Sequence, residues 1–287
     1  MKPPPFAYCR PASVAEALSL AAEAGEDAKF IAGGQSLMPL LALRMSRPSH
    51  LIDINRLPGL ADLRQGSDGL HVGALVRHAA LERCDRLSGP WRALREAAAL
   101  IGHYPIRLRG TFGGSTAHAD PSAELPVVAT AMNATFIARS SQGDREIPAS
   151  DFFAGPLMTV LEPAELLIGA RFPAPAPRTR SVFEEFSPRA GDFAFASTAV
   201  TLTTHDDGRV RSARIALGGV GAVPVRAGEA ENVLQGEHLT DGAVREAARR
   251  AAAGCDPSHD AHAGAAYRRE LIATLVERAL ARLREEP

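Results

Sequence analysis

Apolar residues recur at helical spacing after Ser13-Val-Ala-Glu16, and this capping-box start with a stop at Gly25 predicts a short amphipathic helix over residues 13–24. The apolar run Ala28–Ile31 then reads as a strand, and Leu51–Ile54 and Leu70–Val76 read as two more. Leu37–Met45, Arg77–Cys84 and Pro90–Ile101 are rich in Ala or Leu and read as helices, while Ile101-Gly-His-Tyr-Pro-Ile106 reads as a polar loop. Strands and helices mix without one fixed period. That pattern predicts an α+β or irregular α/β fold, not a regular βαβ array.

Alternating prolines in Phe172-Pro-Ala-Pro-Ala-Pro-Arg178 remove backbone donors and favour an extended, semi-rigid chain. A domain boundary is expected there, dividing the chain into residues 1–176 and 177–287. Beyond it Phe193–Thr204 and Val210–Leu217 are β-rich, joined across His205-Asp-Asp-Gly208, whose Asp-Gly pair favours a hairpin turn. Leu239-Thr-Asp-Gly starts a helix over Ala243–Ala253, and a last helix over 265–283 carries Leu271, Leu275, Ala279 and Leu283 as its apolar stripe.

Composition narrows the function classes. Lys plus Arg number 32 against 33 Asp plus Glu, so no global field favours nucleic acid or an anionic membrane surface. Cys9, Cys84 and Cys255 lie far apart without a CxxC pair, which argues against a disulfide framework, a zinc ribbon or an iron–sulfur cluster held by this chain. Neither a signal peptide nor a spanning apolar segment is visible, so a cytoplasmic location is expected.

Two glycine pairs raise the question of chemistry. Gly33-Gly34 with Ser36 stands where the strand ending at Ile31 hands over to a helix, and Gly110-Thr-Phe-Gly-Gly-Ser115 repeats the arrangement with Thr111 and Ser115. Glycine lets another group approach the main chain, and adjacent glycines turn several N–H donors toward one point, an anion nest at a helix entrance. Two such loops facing each other would hold a diphosphate without a lysine. The competing reading of either pair alone is a tight turn. No GxxxxGK[ST] stretch occurs, and Gly219-Val-Gly221 runs into Pro224, so P-loop and simple Rossmann readings fail. Ser115, His118 and Asp120 are close in sequence as a hydrolase triad would need, but they lack a GxSxG elbow.

Taken together, AGGQSLMPLLALR at 32–44 and IRLRGTFGGSTAHADPSAELP at 106–126 resemble the FAD-binding medium subunit of the molybdenum hydroxylases, the carbon monoxide dehydrogenase and xanthine dehydrogenase family. The likeness continues through Phe6-Ala-Tyr8, Glu165–Pro173, Phe183–Ala194 and Ala266-Tyr-Arg-Arg269. It implies an α+β flavoprotein: a two-subdomain FAD-binding domain of the vanillyl-alcohol-oxidase/carbon monoxide dehydrogenase type, plus a smaller C-terminal α+β domain of antiparallel sheet and helices. By the resemblance, Ala32, Gly33, Gly34, Gln35, Ser36 and Leu37 form the first FAD loop, and Thr111, Gly113, Gly114, Ser115, Ala117 and His118 the second. Ile101 packs near the cofactor, Glu124 accepts from ribose or ribityl hydroxyls, Leu167 lies on the flavin ring and Phe193 covers it. Three positions depart from the pattern: Glu185 where some members carry lysine, Ser115 where asparagine is frequent, and Pro105 where glutamine is usual.

The same resemblance implies an oxidoreductase subunit with no catalytic residue or metal of its own. It would relay electrons from [2Fe-2S] clusters on a small partner, fed by a large molybdopterin-cofactor partner, to an external acceptor, in a dimer of heterotrimers. The alternatives are a self-sufficient flavin oxidoreductase and a flavin-free assembly subunit.

Overall fold

The computed structural model describes residues 2–285, which build three sheet-centred units. The first contains β1 (Ala7–Cys9), α1 (Val14–Ala24), β2 (Ala28–Ile31), α2 (Leu37–Ala42) and β3 (His50–Asp53). β1 and β2 both run parallel to β3, in the order β1-β3-β2. The start of α1 is fixed as the sequence predicts: Ser13 Oγ accepts from the Glu16 N–H at 3.1 Å, and the Glu16 carboxylate accepts from the Ala12 N–H at 2.7 Å. The helix buries Ala17, Leu18 and Ala21 against the sheet.

The second unit runs from β4 (Leu63–Gly66) and β5 (Gly69–Gly73) through α3 (His78–Glu82), α4 (Arg92–Leu100), α5 (Tyr104–Arg109), α6 (Phe112–His118) and α7 (Glu124–Ala131). It continues with β6 (Thr135–Ser140), β7 (Gly143–Pro148), α8 (Ala149–Phe152), β8 (Phe153–Gly155), β9 (Met158–Thr159) and β10 (Leu166–Pro173). Its antiparallel sheet has the order β4-β5-β10-β6-β7, and Phe112, Phe136, Phe152 and Phe172 fill the space between sheet and helices. Aromatic rings at this density bury much apolar area and interlock edge to face, as Phe112 and Phe172 do at 6.1 Å.

The third unit comprises β11 (Thr179–Phe186), β12 (Ala196–Thr204), β13 (Val210–Gly218), β14 (Val225–Arg226), α9 (Gly228–Leu234), α10 (Asp241–Ala253) and α11 (Ala265–Glu285). The four strands are antiparallel in sequence order. One face is covered by α9 and α11, with α10 packed on both helices, while Phe183, Ala199 and Ala216 on the other join the core of the second unit through α4 and α7. Glu96 of α4 pins this junction, accepting from the Phe183 N–H at 2.9 Å and from Arg282 of α11. The result is a mixed helix-and-sheet, α+β architecture.

Several elements differ from the sequence expectation. The Pro90–Ile101 helix begins as a 3-10 turn, Gly89–Trp91, because proline has no N–H to lose at a helix start. The same principle puts a helix at 104–109 where a loop is expected: Pro105 sits in the first turn of α5. The strand expected from Phe193 starts only at Ala196, so Phe193 belongs to the preceding loop. The helices expected to reach Met45 and Cys84 stop at Ala42 and Glu82, the 70–76 strand is shifted to Gly69–Gly73, and α11 continues to Glu285.

Candidate functional site

Where the first two units meet lies a cleft of about 710 Å³, within the range of small-molecule pockets. Every candidate side chain reaches it: Ala32 through Leu37, Ile101, Thr111, Gly113, Gly114, Ser115, Ala117, His118, Glu124, Leu167 and Phe193. Residues separated by more than a hundred positions converge because the end of β2, the start of β10, α6 and the start of α7 all line the cleft.

The first loop is built to give hydrogen bonds outward. Gly34 holds φ at +71°, a conformation side chains disfavour, and this turns the chain from β2 into α2. Gln35 Nε2 bonds back to the Gly33 carbonyl at 3.0 Å and stiffens the turn. Among the described residues, no protein acceptor takes the main-chain N–H groups of residues 32–37, and Ser36 makes no capping bond. Six successive donors at a helix start, unspent within the protein, suit an oxyanion.

The second loop works differently, and here the expectation of a twin amide nest is corrected. The Phe112 N–H donates to Val76 O at 2.9 Å, the Gly113 N–H to Ala74 O at 2.8 Å, the Gly114 N–H to Thr111 Oγ1 at 3.1 Å and the Ser115 N–H to Thr111 O at 3.0 Å. All four are consumed in anchoring α6 to the β5 end and in its N-cap. What the loop offers the cleft is the Ser115 hydroxyl, and its missing side chains let α6 pack close on the segment after β5. A Cβ on Gly113 would sit 2.5 Å from the Ala74 Cβ.

Glu124 opens α7 and is only 8% exposed. Burial, with the charge of Glu185 adding to it, pushes its carboxyl up to about 8, and burial pushes Glu185 up to about 7. One Glu185 oxygen has no partner. A carboxyl that keeps its proton at neutral pH donates as well as accepts, so Glu124 can bond a hydroxyl in either sense. Ile101 and Leu167 are apolar walls, Leu167 lying at a β-bulge of β10. Phe193 is 72% exposed on the rim. No hydrogen bond links Ser115, His118 and Asp120 among the described residues; Asp120 instead accepts from the Ser122 N–H at 2.9 Å. The triad geometry is absent.

The sequence reading missed three contributors. His78 lines the cleft, 4% exposed, with both ring nitrogens unpartnered, and burial holds its imidazole down to about 4. Its place in an apolar helix pattern disguised it. Leu157–Thr159 form one wall after the Leu157 N–H bonds Ala119 O at 2.9 Å; Gly155-Pro156 signals a turn but not its destination. Asp120, weighed only as a triad member, also lines the cleft.

The family described as the FAD binding domain in molybdopterin dehydrogenase matches residues 4–175, and the CO dehydrogenase flavoprotein C-terminal domain matches residues 181–283. The chain belongs to the FAD-binding medium subunits of the molybdenum hydroxylases. Among curated relatives of this family, it is 45% identical over 282 residues to the 6-hydroxypseudooxynicotine dehydrogenase complex subunit alpha of Paenarthrobacter nicotinovorans, covering 98% of this chain and 95% of that one. It is 38% identical over 280 residues to the carbon monoxide dehydrogenase medium chain of Hydrogenophaga pseudoflava, covering 98% and 97%. Among solved structures, reconstituted CO dehydrogenase from Oligotropha carboxidovorans matches with a TM-score of 0.96 at 34% identity, covering 100% of both chains. Quinoline 2-oxidoreductase from Pseudomonas putida 86 matches at 0.93 and 36%, covering 99% of both. The medium subunit is therefore an oxidoreductase component that works beside other subunits. No described helix is long and apolar enough to cross a membrane.

Proposed function

We propose that this medium subunit holds FAD in the cleft, with the diphosphate on the N–H groups of residues 32–37 and Ser115 facing it. The observation that carries the assignment is that run of unspent donors in the same cleft as the wall of α6 that carries Ser115. Thr111, Gly113 and Gly114 shape the wall, while Ala117 and His118 continue it along α6. Glu124 bonds sugar hydroxyls, Ile101 and Leu167 bound the ring system, and Phe193 shields it from water. Bound FAD supplies exchange between one-electron and two-electron carriers.

The electrons come from [2Fe-2S] clusters on a small partner served by a large molybdenum-cofactor partner, and they leave to an external acceptor. A cytoplasmic dimer of heterotrimers is the proposed assembly. Support for partner subunits comes from relatives named as a complex subunit and as a medium chain. We take residues 1–176 as the FAD-binding domain and 177–287 as the C-terminal domain. We place substrate choice on the large partner: relatives named for carbon monoxide, caffeine and nicotine are 38%, 37% and 37% identical to this chain, a spread that favours none of the three.

Purification of the complex from its native host tests this. Molybdenum, iron and FAD should co-purify with two further chains. A complex with no extractable FAD, or a yellow chain that oxidises an organic substrate unaided, would overturn it.

A further inference from the structure

Two side chains that do not line the cleft tie its two glycine loops together. Asn55, just past β3, donates from Nδ2 to the Ala32 carbonyl of the first loop at 2.7 Å and to Asp53 Oδ1 at 2.7 Å. Its Oδ1 accepts from Arg77 Nη2 at 2.7 Å, and Arg77 Nη1 donates to the Arg109 carbonyl at the head of the second loop. The amide orientation follows from chemistry, because guanidinium only donates and a carbonyl only accepts. Asp53 is itself held by the Asn55 N–H at 2.9 Å and by the Tyr8 hydroxyl.

The arginine is anchored at its other end too. Its backbone bridges Thr111, flanked by the His78 N–H on Gly110 O at 3.1 Å and the Phe112 N–H on Val76 O at 2.9 Å. Arg77 thus belongs rigidly to the second loop while its side chain reaches across to the first. The first loop lies beside the apolar cluster of Ile52 and Leu57, which also takes in Leu75 and Leu166 of the second unit, and the second loop lies on that of Phe112 and Phe136. Gly33 also touches the Arg109 and Gly110 main chain, a contact that limits how closely the loops approach, while the Asn55–Arg77 bonds limit how far they part.

We propose that Arg77 and Asn55 form a strap that sets the spacing of the two glycine loops and thereby pre-organises the cleft for a dinucleotide diphosphate. They are positioning residues. The inference rests on the FAD reading above, which assigns the loops to the diphosphate, but it adds residues outside the contact set. A planar fork that satisfies two acceptors at once transmits a distance, whereas a point charge transmits only a potential. The strap therefore makes a different prediction from simple attraction between Arg77 and phosphate.

The test uses the full chain, stripped of FAD and titrated with it, as wild type, Arg77→Met, Arg77→Lys, Asn55→Ala and the Met/Ala double variant. Release rate and flavin fluorescence quenching are read alongside affinity, with far-UV circular dichroism and melting of the apo forms as controls for folding. Arg77→Gln replaces Arg77→Met if the latter does not fold. Each single variant should weaken FAD binding by roughly 10–100-fold through faster release, with less quenching of bound flavin. The double variant should be no more than about threefold worse than the weaker single, since both break one strap. Arg77→Lys should fail to restore affinity. Wild-type binding in Asn55→Ala, independent multiplication of the two losses, or full rescue by lysine would overturn the strap while leaving the FAD site standing. A wild-type chain that takes up no FAD would remove both.

Discussion

Gly33 of the first loop rests directly on the carbonyl of Arg109: a Cβ added there would overlap that oxygen and lie 2.9 Å from the Gly110 Cα. Both atoms are main chain, so no rotamer change relieves the clash. Gly33→Ala should push the loops apart and weaken FAD binding by about 10–100-fold, the equivalent of the 1–3 kcal/mol that overpacking costs. Flavin content of the purified chain measures it. Retention at the wild-type level would mean that the loops do not grip the diphosphate between them.

Thr111 caps α6 with a hydroxyl that is itself buried, 1% exposed, and bonded to the Gly114 N–H. Thr111→Val keeps the shape and removes the bond. Stability in urea should fall by about 1–2 kcal/mol. An unchanged unfolding midpoint would place the helix start under the control of packing instead.

Stability of the apo protein should fall as pH rises through the carboxyl window. Burial, then Glu185, raises Glu124 from 4.5 to about 8, and burial raises Glu185 from 4.5 to about 7. An acid that holds its proton more tightly folded than unfolded does not oppose folding below pH 4.5, and opposes it progressively as pH climbs to the folded value. Glu185→Gln removes one such group and relieves its neighbour. Its unfolding free energy should match the wild type near pH 4 and exceed it by roughly 1–3 kcal/mol at pH 8. His78 titrates alike in both proteins and cancels. Equal stability of the two at pH 8 would show that Glu185 reaches water.

Phe193 packs little of its ring, being 72% exposed, so Phe193→Ala should alter stability by less than about 0.5 kcal/mol. As a shield on the rim it should still matter to the cofactor. Iodide should quench the bound flavin more readily in the variant; identical quenching would assign Phe193 to a partner surface.

Elements with local signals are legible in the sequence. The Ser13 cap, the Gly25 stop, the strand Ala28–Ile31 and the opening of α10 by Thr240, whose hydroxyl takes the Ala243 N–H at 3.2 Å, are all read from neighbours a few residues apart. The helix α7 was not read, because every residue from Glu124 to Ala131 is buried and a helix covered on all sides has no polar face to reveal its period.

The glycine pairs, the proline run after Phe172 and the order of family-like segments were fixed by residue type, since missing side chains and missing N–H groups are properties of the chain before it folds. Which amides remain free was decided only in three dimensions. Gly33-Gly34 and Gly113-Gly114 look alike in sequence, yet Ala74 and Thr111 consume the donors of the second pair while those of the first stay unspent. A hydrogen bond between segments depends on where the intervening chain returns, so the link from Ala32 through Asn55 and Arg77 to Arg109 has no counterpart in any local pattern.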